Sequence, residues 1–227
     1  MFYPEKIVSI KPGDRVLEIG PGADPFHRSD VLLELELPDE KEYAKQFGHD
    51  RKLETTKPVV FYDGTKFPFK DKEFDYVICS HVLEHVPDVE GFLSEIFRVA
   101  KMGYFEYPLM PYEYLHNIGA HLQYLKWNGK MIHYMKKNES PLEFFKPVQN
   151  FFFSTLTTGY DEFYTRIPHF FFEGFEWFEP FTAGRTNDLN VLCDFGTDVP
   201  MISRDISKEQ TVKSLITALG KKVKRKF

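Results

Sequence analysis

The feature that most constrains this chain is a series of short apolar segments, each followed directly by glycine or by a polar or proline residue. Segments of this kind, bounded by turn residues, are typical of buried β-strands. Where helical patterns alternate with them, they predict a mostly parallel sheet with helices on its faces. The first half of the chain contains five: Arg15–Ile19, Asp30–Leu35, Val59–Tyr62, Phe74–Cys79 and Tyr104–Tyr107.

Helices are predicted in two of the intervals between these strands. Asp39 is a typical N-cap for a helix over 40–47, which Gly48 would end. Asp88 would cap a second helix that runs to about Lys101, in which apolar residues recur at helical spacing.

The first interval is different, because Gly22 and Asp30 are close together in the sequence. A crossover between parallel strands usually takes a dozen or more residues. The first helix is therefore predicted to be very short or absent.

The residues at the carboxyl ends of these strands are the candidate ligand-binding residues. Parallel strands end at one edge of a sheet, and open α/β sheets bind ligands there. Glycine lets the backbone approach a ligand closely, and a carboxylate can accept from a ribose diol or a purine amino group. Phe67 and Phe69 could wall an apolar base site. The candidates are Glu18, Gly20, Gly22, Glu34, Asp63, Gly64, Ser80 and His81.

This series resembles the class I S-adenosylmethionine-dependent methyltransferases, and in particular their broad small-molecule group. The resemblance covers about 14–108 and is most specific in 16–22, 63–69 and 74–88. It implies an α/β fold with a doubly wound, mostly parallel seven-stranded sheet, in which this chain would have a shortened first helix because of its short first interval. It also implies S-adenosyl-L-methionine as the cofactor. The glycine motif departs from the family pattern, because Ala23 and Asp24 follow Gly22 where a third glycine would be expected.

The resemblance also implies roles for the candidate residues. Gly20 and Gly22 would pass beside the methionine part of the cofactor, with Glu18 nearby. Glu34 would hold the ribose hydroxyls, Asp63 with Gly64 would bond the adenine amino group, and Ser80 with His81 would line the reaction site.

The predicted reaction moves a methyl group to an oxygen or nitrogen atom of a small-molecule or glycan-type acceptor. A hydroxyl acceptor benefits from a general base. His81 is the first candidate for that base, and Glu106 is another.

Two other function classes stay open. His81, Glu84 and His85 match the H-x-x-E-H pattern of inverted zinc peptidases, which would make the chain a zinc hydrolase. No third protein ligand is evident in the sequence, so no metal is predicted. A non-catalytic binding module on the same fold is the remaining alternative.

The second half of the chain is rich in aromatic residues and departs from the strand–helix alternation. Asn128-Gly129 between two apolar runs predicts a β-hairpin with a type I′ turn. Two late strands are predicted over Phe175–Glu179 and Leu189–Phe195. The domain prediction is thus a cofactor-binding core over 1–110 and 169–200, an inserted cap that contains the hairpin over 111–168, and a C-terminal helix with a basic tail over 201–227.

Charge and hydropathy restrict the partners. The net charge of −5 and the isoelectric point of about 5.9 predict no nucleic-acid partner.

We expect a cytoplasmic protein, because the sequence has neither a signal-peptide pattern nor an apolar run long enough to span a membrane. Cys79 and Cys193 lie in apolar runs and are predicted to be buried free thiols.

Two further surfaces have alternative interpretations. The helix predicted from Ser207 could pack on the body, or its basic end at 221–226 could attach weakly to an anionic membrane surface. The phenylalanine clusters could be core, an acceptor pocket or a homodimer surface.

Overall fold

A computed structural model describes residues 1–37, 53–157, 164 and 166–193 of the chain. The chain divides into two compact units, Met1–Cys193 and Asp194–Phe227, and every described residue belongs to the first. The helix predicted over 40–47 and the C-terminal helix and tail lie outside the described residues.

The described residues of this unit form nine strands in two sheets. They are β1 (Val16–Ile19), β2 (Val31–Leu35), β3 (Val59–Tyr62), β4 (Phe74–Ser80), β5 (Ala100–Pro108), β6 (Gln123–Trp127), β7 (Met131–Lys136), β8 (Phe172–Trp177) and β9 (Thr182–Arg185). The larger sheet has six strands in the order β3-β2-β1-β4-β5-β8, and the smaller has the order β6-β7-β9. Strands β1 to β5 are parallel, and β8 runs antiparallel to β5. The predicted α/β fold with a mostly parallel sheet is confirmed.

The strand order reverses between β1 and β4, since β2 and β3 lie on one side of β1 and β4 and β5 on the other. Ile19 at the end of β1 pairs with Leu33 of β2 and with Cys79 of β4. Open α/β sheets bind ligands at this kind of switch point, because the flanking loops diverge there and leave a crevice.

Four α-helices are described: α1 (Val89–Val99), α2 (Met110–His116), α3 (Lys146–Thr157) and α4 (Leu189–Leu192). The predicted cap of α1 is confirmed, because the Asp88 carboxylate accepts from the Gly91 N–H at 3.0 Å. The buried face of α1, which includes Phe92 and Ile96, packs into the main core. Within the described ranges, none of the helices combines the length and apolarity that a bilayer crossing requires.

The connection over 20–30 between β1 and β2 contains no helix, as its length predicted. Polar side chains hold it instead. Glu18 Oε2 accepts from the Phe26 N–H at 2.8 Å and from Ser29 Oγ at 2.6 Å. Lys57 Nζ donates to the carbonyl oxygens of Phe26, His27 and Ser29 at 2.9, 3.1 and 2.5 Å. The side chains of Glu18 and Lys57 thus form hydrogen bonds with backbone N–H and carbonyl groups that a helix would have paired internally.

The smaller sheet contains an antiparallel pair, β6 and β7, at the position that the Asn128-Gly129 pattern indicated. The predicted type I′ turn is wrong, because Gly129 has a positive φ of 91° and Asn128 does not. Asn128 Oδ1 instead accepts from the N–H groups of Lys130 and Met131. The asparagine side chain therefore replaces the second positive φ as the feature that closes the turn.

One prediction for the late segment is wrong, because the strand expected over Leu189–Phe195 is the short helix α4 in its described part. The larger sheet has six strands among the described residues, so a seventh strand is not confirmed. Asp188 caps this helix by accepting from the Asn190 N–H at 2.9 Å, and Leu192 is buried beside Met135. Cys193 follows the helix and is exposed, whereas Cys79 is buried as predicted.

Candidate functional site

The residues that follow the parallel strands lie at one edge of the larger sheet. The registers align Ile19 with Leu33 and Cys79, Leu35 with Tyr62, and Ser80 with Glu106. Their successors in the chain therefore start the loops of this edge. The edge includes the predicted residues Gly20, Glu34, Asp63, Ser80 and His81.

Two glycines open the loop after β1 in backbone conformations that favour glycine. Gly20 and Gly22 have φ values of 60° and 61°. A Cβ on Gly20 would lie 2.6 Å from Val82 Cγ2, so the loop after β1 packs directly against the loop after β4. A Cβ on Gly22 would meet no atom within 4 Å. Gly20 is thus required by close packing, whereas Gly22 borders open space that a ligand could use.

Glu34 is a buried carboxylate with few partners. Only 7% of the residue is exposed. Within the described part of the chain its one hydrogen-bond donor is the adjacent Leu35 N–H, at 3.0 Å. Burial raises the pKa of Glu34 to about 7, and the Leu35 bond only partly offsets this. A buried carboxylate with unused acceptor capacity is suited to the hydroxyls of a ribose.

Asp63, predicted to bond adenine, is exposed at the end of β3. Its Oδ1 accepts from the Thr65 N–H at 3.0 Å and from Thr65 Oγ1 at 2.6 Å, and these bonds lower its pKa. Gly64 beside it has a φ of 88°. The predicted apolar wall is not formed by Phe67, because that ring is buried in the core against Tyr62 and Phe92.

Glu106 is the most heavily bonded carboxylate of the site. Its Oε1 accepts from the Phe2 N–H at 2.7 Å and Ser80 Oγ at 3.1 Å, and its Oε2 from the Tyr3 N–H at 3.0 Å and Tyr104 OH at 2.7 Å. His81 Nε2 is 3.0 Å from Oε1. This set of donors leaves little acceptor capacity for a substrate, so the geometry favours a positioning role over the predicted role as a base.

His81 lies between two carboxylates. Its Nε2 contacts Glu106 as described, and its Nδ1 is 3.4 Å from Glu84 Oε1. Burial alone would lower the pKa of His81, but Glu106 and Glu84 outweigh it and raise the pKa to about 9. The contact with His81 in turn outweighs the burial of Glu106 and lowers the pKa of that carboxyl to about 2. At neutral pH His81 is thus an imidazolium, which cannot accept a proton from an acceptor hydroxyl.

The zinc hydrolase pattern is not assembled as predicted. Leu83–His85 forms a short 3₁₀ helix rather than the start of an α-helix, so His81 and His85 do not share an α-helical face. Both ring nitrogens of His81 face carboxylates. The residue that lies near Glu84 and His85 is His121, which precedes β6. Sequence reasoning missed it, because nothing in the spacing from His85 to His121 links the two residues.

Comparisons with known proteins agree with this fold. Residues 26–105 match the family model described as a methyltransferase domain. The sterol 24-C-methyltransferase erg6 of Schizosaccharomyces pombe is 34% identical over 103 residues, which cover 42% of this chain and 27% of that protein. The demethylmenaquinone methyltransferase of Streptomyces avermitilis is 31% identical over 102 residues, which cover 43% and 42%. The chain thus spans less than half the length of these two relatives.

Another relative and a solved structure carry similar descriptions. The norajmaline N-methyltransferase of Rauvolfia serpentina is 31% identical over 96 residues, which cover 42% of this chain and 32% of that protein. The crystal structure of a SAM-dependent methyltransferase from Thermotoga maritima, a possible histamine N-methyltransferase, has 23% identity and a TM-score of 0.31. It covers 46% of this chain and 48% of that one.

Proposed function

We propose that this chain, which carries a class I S-adenosylmethionine-dependent methyltransferase domain, transfers a methyl group from that cofactor to an oxygen or nitrogen atom of a small-molecule or glycan-type acceptor. The observation that carries the proposal is the buried Glu34 carboxylate at the carboxyl end of β2, whose acceptor capacity is largely unused. It stands next to the switch point at which a sheet of this topology binds its ligand.

The residues of this edge fit the cofactor. Glu34 would accept from the ribose hydroxyls, and the backbone at Gly20 and Gly22 would border the methionine part. Asp63, at the end of the neighbouring strand, would accept from the adenine amino group through its Oδ2, since Oδ1 is bonded to Thr65. When bound, the cofactor supplies an electrophilic methyl group on a sulfonium.

Charged side chains after β4 and on β5 would lie near the sulfonium. Glu84 has a lowered pKa despite its burial, because the contact with His81 outweighs the desolvation. Glu106 is ionised as well, so two carboxylates surround one imidazolium. The N-terminal ammonium of Met1, 3.9 Å from Glu106 Oε1, is a second cation beside these carboxylates, so the charges of the cluster balance within the described part of the chain.

The Phe2 ring, which is partly exposed, would contact an acceptor with an apolar body. Phe2 stacks on Phe172 with ring centroids 3.8 Å apart, and both rings contact the edge of His81 at 5.5 and 5.4 Å. The relatives described above are methyltransferases whose names specify a sterol, demethylmenaquinone and norajmaline. These names support a small acceptor of similar apolar character.

Calorimetric titration with S-adenosylhomocysteine tests the proposal. We expect the wild-type chain to bind it and Glu34→Gln to bind at least about 10-fold more weakly, because a hydrogen bond to a charged group contributes about 1.5–3 kcal/mol. Glu36→Gln is the matched control, since Glu36 is an exposed acidic residue two positions further along the chain. Its affinity should equal that of the wild type. Absence of binding by the wild type would refute the proposal in favour of the binding module.

A further inference from the structure

We propose that Glu84, His85 and His121 form a binding site for a divalent transition-metal ion of the zinc class. One ligand atom from each residue lies within 4.8 Å of the ligand atoms of the other two. The proposal does not depend on methyl transfer, because it rests on the chemistry of these three side chains alone.

Glu84 is the observation that first points to a ligand. The residue is 0% exposed, and neither carboxylate oxygen has a hydrogen-bond donor within the described part of the chain. Its nearest charged neighbour, His81 Nδ1, makes an ion-pair contact with Oε1 at 3.4 Å. That contact leaves Oε2 buried and without a partner among the described residues, and a buried carboxylate oxygen without a partner is unfavourable. A metal ion on Oε2 would supply the partner and would leave the His81 contact in place.

His85 is oriented as a metal ligand would be. Its Nδ1 lies 3.1 Å from the carbonyl oxygen of Ala120. A carbonyl oxygen only accepts, so Nδ1 carries the proton and Nε2 carries the lone pair. Histidines that bind metals commonly donate their second ring N–H to a carbonyl or carboxylate in this way.

His121 shows the same arrangement with a carboxylate. Its Nδ1 bonds Glu113 Oε1, and Glu113 is itself 0% exposed. With Nδ1 directed at the Glu113 carboxylate, Nε2 is the ring nitrogen left for a metal ion. Lys137 Nζ is 3.6 Å from Glu113 Oε2 and compensates its charge. Carboxylate, histidine and metal form a triad that recurs in zinc sites.

The backbone brings the two segments together. The Leu122 N–H donates to the carbonyl oxygen of Glu84 at 2.7 Å, and the rings of His85 and His121 meet edge to face at 4.7 Å. Zinc bonds of about 2.1 Å at tetrahedral angles place ligand atoms about 3.4 Å apart. Side-chain rotations can bring atoms that lie within 4.8 Å to that separation while the backbone stays in place.

The donor set selects the class of ion. Two imidazoles and a carboxylate suit zinc, cobalt and nickel in their divalent states better than magnesium or calcium, which prefer oxygen ligands. Three protein ligands leave a coordination position for water or for an oxygen or nitrogen atom of another ligand.

Titration of the chelator-treated full-length chain with Zn²⁺, in competition with a chromophoric chelator, tests the site. We expect one equivalent to bind, and His121→Ala to bind at least about 10-fold more weakly, because a ligand is lost. His133→Ala is the matched control, since His133 lies on the hairpin away from the cluster, and it should bind like the wild type. Absence of one-equivalent binding by the wild type would overturn the proposal, as would wild-type affinity in His121→Ala.

Two further measurements keep the test informative if His121→Ala fails to fold. His121→Gln preserves the size and polarity of the side chain and should show the same loss of affinity. Glu113→Gln keeps all three ligands but weakens the orientation of His121, and a change of this kind typically weakens metal binding by about 10- to 100-fold. Wild-type affinity in a folded His121→Gln or Glu113→Gln variant would contradict the site. Visible absorption of bound Co²⁺, lost in His121→Gln, would support it.

Discussion

Replacing Glu34 by glutamine is expected to stabilise the folded chain at neutral and alkaline pH while it weakens cofactor binding. The pKa of this carboxyl is raised from 4.5 to about 7 because burial disfavours its ionised form. Above pH 4.5 the unfolded chain releases this proton, whereas the folded chain retains it until about pH 7. The folded state therefore binds more protons, and the stability of the wild type falls as pH rises through this window.

The magnitude follows from the two pKa values. With 4.5 for the unfolded and about 7 for the folded state, the loss of stability is about 1.4 kcal/mol at pH 5.5 and about 3 kcal/mol at pH 8. Glutamine has the same shape and does not ionise, so Glu34→Gln removes this loss. The difference in unfolding free energy between variant and wild type should thus grow by about 2 kcal/mol over that range.

Urea unfolding at several pH values between 5 and 8 measures this difference. Subtracting the wild type from the variant cancels the titration of the other groups, which both chains share. Glu36→Gln, at an exposed position, serves as the control and should show a nearly constant difference from the wild type. A difference for Glu34→Gln that stayed flat with pH would refute the conclusion that Glu34 is buried without adequate donors.

Two other variants test the loops of this edge. Gly20→Ala should destabilise the fold by about 1–3 kcal/mol more than Gly22→Ala in urea unfolding. The added Cβ at position 20 would clash with Val82, whereas the one at position 22 would meet open space. Equal losses of stability would contradict the packing described for Gly20. Lys57→Met should lower the free energy of unfolding by about 1–3 kcal/mol and increase protease cleavage within 20–30, because it removes the donor for three carbonyl oxygens. Lys66→Met, at an exposed position, is the control. Unchanged cleavage of Lys57→Met would show that other contacts hold this connection.

Several features of the fold could be predicted because they depend on local patterns. The bounds of β3 coincide with the predicted segment, and those of β1, β2 and β4 differ from the prediction by one residue. Apolar runs of this length with turn residues at both ends have few alternatives once they must be buried. The Asp88 cap could be predicted as well, since capping depends only on a side chain and the backbone three residues on.

Other local predictions were wrong because tertiary burial decided them. Leu189–Leu192 has the apolar character of a strand, yet Asp188 caps it as a helix and Leu192 packs beside Met135 from another part of the chain. Phe67 has the character of a pocket wall but is buried in the core. In each case the available space, rather than the residue type, determined the outcome.

The sequence alone therefore determined which residues stand at the carboxyl ends of the parallel strands, because strand length and chain direction follow from local pattern. It did not determine the partners of those residues. Only the tertiary structure brings Phe2 and Tyr3 to Glu106 and His121 to His85. Contacts between residues so far apart in the sequence depend on how the loops pack over the sheet. This packing determined the pKa of His81, the hydrogen bonds of Glu106 and the group of side chains around Glu84.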